Sequence, residues 1–259
     1  MSKLFSYPEA KQVVVSGDIH GDFNGLVFKL CVQYELTDTV LIVAGDCGFG
    51  FELEGYYEQI YNSIAKRLRK ANNWIVFIRG NHDNPAYFNE QIISYKRWRC
   101  VPDYSVIQAC GHNILCVGGA VSIDRQRRIE DNARRMELGH KKTSCWWPDE
   151  APVYDEDAID FLPAEVQIDT VVSHSAPSFC RLNEHRHLRS WAEGDPTLLD
   201  DVTNERKALD QVHKHLLNND HPVTRWFYGH FHQSWYGMLD GIQYSMLDIM
   251  EFKEMAEVQ

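Results

Sequence analysis

Five times along the chain an apolar run of strand length stops abruptly at a polar cluster: "VVVSGDIHGD", "VLIVAGDCGFG", "WIVFIRGNHD", "TVVSHSAP" and "WFYGHFH". A run that is apolar at every position suits a strand covered on both faces, as in a largely parallel sheet with helices outside it. Helix-like stretches separate the first three runs, so this part reads as βαβ units whose polar clusters gather at the carboxyl ends of the strands. Few architectures satisfy that pattern. A buried strand end is an unfavourable place for Asp and His unless chemistry there needs them.

Either Asp22 or Asn24 suits the cap of a helix through "LVFKLCVQY", and a second helix is expected from about Tyr56 to Ala71. "YSVIQACGHNILCVGGA" reads as a hairpin around "CGHN", and "TRWFYGHFHQSWYGMLDGIQYSML" as consecutive antiparallel strands. Two stretches break the pattern. Residues 121–150 are polar, rich in Arg and end in "CWWPDE"; residues 178–222 are polar and carry five histidines, His185, His187, His213, His215 and His221, which read mostly as surface residues. Both are expected as insertions over the strand ends of one domain spanning 1–259, where substrate choice would reside.

The 259 residues suffice for one large α/β domain, and 44% hydrophobic with 24% charged residues suits a soluble globular chain. No apolar run approaches the roughly 18 residues of a membrane span, and "MSKLFSYPEAK" lacks the basic and apolar regions of a signal peptide. Seven cysteines without CxxC spacing suit reduced thiols in a cytoplasmic enzyme. Cys47, beside Asp46, reads as packing. The formal charge of −11 argues against extended nucleic-acid binding, because the overall field repels polyanions.

The strand ends supply Asp18 and His20, Asp46, Asn81 with His82 and Asp83, His174, and His230 with His232. Residues two apart on a strand face the same way, so Asp18 can converge with His20, and His230 with His232. All are oxygen or imidazole donors, a set that suits manganese, iron or zinc better than a thiolate-rich structural zinc. Taken singly, "GDIHG" could be a capped turn, "GNHD" an Asx-turn and "GHFH" an exposed strand. Their joint occurrence, each at a strand end, is what marks a site.

"GDIHG", "AGDCG", "RGNHD", "VSHSAP" and "YGHFH" together resemble the signature of the calcineurin-like metallophosphoesterase superfamily: D-x-H, GD, GNH, a His after a strand, and GHxH. These motifs cover positions 17 to 232. The resemblance implies an α/β fold, a four-layer α/β/β/α sandwich with mixed sheets and a metal site at the carboxyl ends of the strands. It implies two divalent ions, manganese first, with iron, zinc or nickel as alternatives. Residue by residue, Asp18, His20 and His232 would hold one ion, Asn81, His174 and His230 the other, and Asp46 would bridge both. His82 would contact the scissile phosphate and assist the leaving group, with the adjacent Asp83 as a candidate to orient it. The sequence departs from the protein Ser/Thr phosphatase branch, whose G-D-x-x-D-R-G is here "GDCGFG", with Phe49 in place of the second Asp. That departure leaves the partner of His82 open and argues against that branch. "GGAVSIDRQRR" and "WWPDE" resemble a small bacterial and bacteriophage branch.

Paired divalent ions about 3.5–4 Å apart neutralise phosphate oxygens and ionise a water to attack phosphorus. Neutral Asn and His ligands preserve the positive charge that this requires. Arg125, Arg127 and Arg128 are candidates to clamp the substrate phosphate, or else a solvated face pairing with Glu130 and Asp131. Trp146 and Trp147 either stack on a nucleobase or anchor the insertion. The expected function is hydrolysis of phosphate mono- or diesters, with a nucleotide among the candidate substrates. A nuclease or cyclic-nucleotide phosphodiesterase is the second reading. A non-catalytic scaffold is the third, disfavoured because every motif position is filled. No membrane partner is expected, and oligomeric state is not legible.

Overall fold

The computed structural model describes residues 3–139, 144–180 and 187–255. In chain order it forms β1 (Leu4–Ser6), β2 (Gln12–Ser16), α1 (Phe23–Phe28) with a wider turn over Lys29–Gln33, β3 (Thr39–Val43), α2 (Tyr56–Ala71) and β4 (Trp74–Phe77). Next come α3 (Ala86–Asn89), β5 (Ser94–Tyr95), β6 (Trp98–Cys100), β7 (Ser105–Ala109), β8 (His112–Val117), α4 (Arg125–Glu137) and α5 (Glu156–Asp160). The remainder is β9 (Thr170–Ser173), α6 (Leu188–Ala192), α7 (Leu198–Asn218), β10 (Arg225–Tyr228), β11 (Trp235–Leu239), β12 (Ile242–Met246) and β13 (Phe252–Glu254).

The strands make two mixed sheets, one in the order β13-β2-β3-β4-β6-β5 and one in the order β1-β7-β8-β9-β10-β12-β11. Alternation along the strands explains how the sheets stack. Val13, Val15, Val40, Ile42 and Val76 point from the first sheet toward Ile107, Ile114, Cys116, Val172 and Phe227 of the second, forming an inter-sheet core. Val14, Leu41, Val43, Ile75 and Phe77 point the other way, against Leu26, Leu30, Ile64 and Leu68 of the α1 and α2 layer. On the far side Leu115, Val117, Val171 and Trp226 meet Leu209, Val212 and Leu216 of α7. The result is the expected four-layer α/β/β/α sandwich, and it is why the central strands are apolar on both faces.

Local expectations hold where local chemistry decides. The α2 helix runs from Tyr56 to Ala71, β7 and β8 form the hairpin, and the Asp22 side chain, rather than Asn24, caps α1 by accepting from the Gly25 N–H at 2.8 Å.

The carboxyl-terminal strands differ from expectation. Of β10, β11 and β12, only β11 and β12 pair antiparallel; β10 pairs in parallel with β12. Ile242, Tyr244 and Met246 of β12 are buried, whereas Tyr236 and Met238 of β11 are 73% and 63% exposed, because β12 lies inside the sheet and β11 at its edge. Residues 178–222 also do more than cover strand ends, since α7 forms part of the outer helical layer. The expected surface histidines there divide. His185 lies outside the described residues. His213 and His221 are half-buried, and His215 ties α7 to Tyr154 and Asp160 at 2.7 and 2.8 Å.

Candidate metal centre

All five polar clusters lie at the carboxyl ends of β2, β3, β4, β9 and β10, and their loops bend sharply as they leave the sheets. His20, Asp46, His230 and His232 have φ of 45°, 47°, 68° and 50°, the left-handed region that a non-glycine residue occupies only under constraint. Two glycines make room. A Cβ on Gly45 would lie 2.2 Å from the His174 Nδ1, and one on Gly80 would lie 2.2 Å from the Asp46 oxygen Oδ1.

The clusters converge into two groups that share Asp46. In the first, the His232 Nε2 lies 3.0 Å from the Asp18 Oδ2 and 3.1 Å from the His20 Nε2, and the Asp46 Oδ2 is 3.9 Å from the His20 Nδ1. One donor atom from each of Asp18, His20, Asp46 and His232 lies within 4.8 Å of the others. In the second group, the His174 Nε2 is 3.1 Å from both the Asp46 Oδ1 and the Asn81 Oδ1. The His230 ring stands edge-on to His174 at 4.9 Å. Asp18, Asp46, Asn81, His174 and His230 are buried, while His20, His82 and His232 form the accessible rim.

The chemistry of this donor set fits divalent metal. The His174 Nδ1 donates to the Ala44 carbonyl at 2.7 Å, so the neutral imidazole turns a lone pair at Nε2 toward two more acceptor oxygens. Only a cation or a proton makes three converging acceptors favourable. Burial opposes charge on His174, yet the Asp46 charge and hydrogen bond push the imidazole up to about 9. Burial likewise opposes ionisation of Asp46, but His82, His174 and His20 around it hold the carboxyl well below the usual range. The hydrogen bond with Asp18 raises His232.

The outer residues sort differently from expectation. The Asp83 carboxylate is buried and accepts the N–H groups of Cys47, Gly48, Phe49 and Gly80 at 2.8–2.9 Å. It therefore staples the β3 and β4 loops together and does not orient His82; burial and the Asp46 charge push it up to about 7. Phe49 is fully buried with Phe23, Tyr57 and Phe77, which explains why no Asp stands there. The His82 Nε2 instead faces the Arg128 Nη2 at 2.5 Å, and the Asp124 carboxylate holds the Arg128 Nε at 2.7 Å. Burial depresses the His82 imidazole, with Arg128 adding to the effect and Asp46 opposing it.

Arg125, the other expected phosphate clamp, turns away and pairs with Asp195 at 2.5 Å and Asp201 at 2.7 Å. It is a strut joining the start of α4 to the start of α7. Trp147 packs edge-on against Phe51 at 5.4 Å, an anchoring contact. Cys47 is buried against the Ile78 carbonyl, and no disulfide joins any of the cysteines. The sequence reading missed Ile123 and Trp191, which line a cleft with His82, Arg128 and His232, and Phe51 and Tyr56, which line a second cleft meeting the first at His82. No periodic or spacing signal marks these residues.

Residues 11–234 match the profile of calcineurin-like phosphoesterases. The chain belongs to that family. Membership implies phosphate-ester hydrolysis with divalent metal ions. A curated relative, the serine/threonine-protein phosphatase ppe1 of Schizosaccharomyces pombe, is 30% identical over 160 residues, 55% of this chain and 51% of that protein. The chain thus matches about half the length of that relative. Among solved structures, TT1561 of Thermus thermophilus is similar at a TM-score of 0.46 and 11% identity, covering 95% of this chain and 98% of that one. Phosphopantetheinyl hydrolase (PptH) of Mycobacterium tuberculosis is similar at a TM-score of 0.37 and 15% identity, covering 92% and 89%. No helix among the described residues is long and apolar enough to cross a membrane.

Proposed function

We propose that this chain hydrolyses small phosphate mono- or diesters at a two-metal centre, with Asp18, His20 and His232 holding one ion, Asn81, His174 and His230 the other, and Asp46 both. The observation that carries this reading is the division of Asp46, whose Oδ1 faces His174 and whose Oδ2 faces His20 and His82. When bound, a pair of divalent ions, manganese foremost, would supply charge neutralisation and a nucleophile from water.

The chain's own groups supply the rest. Arg128 donates to the His82 Nε2 across the cleft. A phosphate oxygen entering between them accepts from the guanidinium, and its negative charge raises the proton affinity of the imidazole. His82 then takes up a proton from solvent at Nε2 and gives it to the departing oxygen. Asp124 keeps the guanidinium in place, and the carboxylate of Asp46 accepts the His82 N–H at 2.7 Å, fixing the loop that carries the imidazole.

The test is to quantify bound metal in the purified protein and compare p-nitrophenyl phosphate with bis-p-nitrophenyl phosphate in added manganese. Turnover of the first indicates a monoesterase and of the second a diesterase. Metal-replete protein inactive on both overturns the reading and favours a scaffold.

A further inference from the structure

Two segments singled out in the sequence, "GGAVSIDRQRR" and "WWPDE", contribute more than Arg128. They meet behind Asn81. The Asn81 Nδ2 donates to the Ser122 Oγ at 3.0 Å, and the Ser122 Oγ donates onward to the Glu150 Oε2 at 2.7 Å. The Ser122 N–H donates to the other oxygen of the same carboxylate, also at 2.7 Å. Ser122 and Glu150 are 1% and 3% exposed, so water does not compete for these bonds.

The direction of the chain matters. Burial pushes the Glu150 carboxyl up to about 7 while the two bonds from Ser122 oppose that; in its ionised form it can only accept, so the Ser122 hydroxyl gives its proton to Glu150 and offers its lone pair to Asn81. That lone pair selects the NH₂ end of the Asn81 amide and leaves the carbonyl oxygen facing the His174 Nε2. Glu150 is itself fixed from the same loop. The buried Arg79, two residues before Asn81, donates to the Glu150 carbonyl at 2.6 Å and to the Ala151 carbonyl at 3.0 Å, while Asp103 neutralises it at 2.7 Å. The "RGNHD" loop is therefore tied to residues 150–151 at two points, once through Arg79 and once through Asn81.

We infer that Glu150 and Ser122 are positioning residues that hold the Asn81 amide with its oxygen toward the metal site shared with His174. The inference rests on the reading that Asn81 and His174 hold an ion. It makes the segment carrying Glu150 a determinant of metal affinity, although it contributes no ligand itself. Partners of this kind, one bond removed from a ligand, change metal affinity by about 10–100-fold when removed.

The experiment titrates Mn²⁺ into metal-stripped protein by calorimetry for the wild type, Ser122→Ala, Ser122→Thr and Glu150→Gln. Ser122→Ala removes the relay. Glu150→Gln keeps the volume but can place an NH₂ group against the Ser122 Oγ, releasing the Asn81 amide to turn over. The expected result is two sites in the wild type, with affinity at one lowered about 10–100-fold in Ser122→Ala and Glu150→Gln and the other unchanged. Ser122→Thr, which keeps the hydroxyl, restores it. Should Ser122→Ala not fold, Glu150→Gln carries the test. Wild-type affinity at both sites in Glu150→Gln, or a uniform fall at both sites tracking a lower Tm of the stripped protein, overturns the inference and leaves the two-metal reading standing. A wild type that binds fewer than two ions overturns that reading and the inference with it.

Discussion

The strand-end loops and helix α4 border the same cleft but are held there by opposite means. The loops grow out of the cores on either side of the sheets. Asp83 takes four backbone N–H groups, Asp46 takes the N–H of His82, and Asp18 takes that of His230, all as buried carboxylates. By contrast, no residue of α4 is buried. That helix is held by Arg125 against Asp195, Asp201 and Thr197, and by contacts of its other side chains at the cleft. Geometry that packing over-determines suits groups that must hold metal in one arrangement. Geometry set by a few ion pairs is softer than geometry set by packing, and the pair with the exposed Asp201 feels salt. On the proposed function the difference separates two jobs: the core presets the donors proposed to hold metal, and an attached helix brings Arg128, proposed to meet the substrate.

The largest expected effect comes from Asp46→Ala, which should release metal from both groups and lower kcat/KM by about 10³-fold or more, since several kcal/mol of charge stabilisation leaves with the ions. Full metal content in that variant, measured by elemental analysis, would break the comparison at its rigid end. His82→Ala should retain metal and lose about 10²–10³-fold in kcat. Arg128→Ala should also keep its metal and lose about 10²-fold in kcat/KM, with Arg128→Lys recovering little because the fork geometry is gone.

A smaller effect tests the strut. Arg125→Ala should lower kcat/KM by about 10-fold or less, leave metal affinity unchanged, and abolish any steepening of activity loss between low and high salt that the wild type shows. An equal loss of metal would mean that α4 is part of the rigid region after all. The smallest concerns pH. The hydrogen bond from Arg125, aided by its charge, holds Asp195 below the usual carboxylate range. A carboxyl depressed in the folded state contributes stability above its unfolded value near pH 3.8 and loses it as pH falls through the lower folded value. Asp195→Asn should therefore flatten slightly the acid limb of Tm against pH in the metal-stripped protein.

Much of the site was legible because the signal was local. The apolar run before "GDIHGD" needs only its own residues to read as a buried strand, and the polar cluster after it marks where that strand ends. What stayed hidden depended on partners remote in sequence. Asp83 sits beside His82, yet its carboxylate serves the loop around Cys47, 36 residues away. Arg125 and Arg128 look alike in "DRQRR" and sit as neighbours on one side of α4, yet the first pairs with Asp195 and the second with His82 and Asp124. The β10–β12 pairing escaped notice because alternation reports which face is buried, not which neighbour a strand takes.

The sequence alone determined where the strands end and which donor types stand there, because backbone period, glycine freedom and apolar burial act over a few residues. The tertiary structure alone decided which way each side chain faces: Asp46 toward two groups of donors, Asp83 toward backbone, Glu150 through Ser122 toward Asn81. Those choices follow from charge and hydrogen bonding in buried space, where an unpaired group is too unfavourable to persist. They exist only once the sheets have packed.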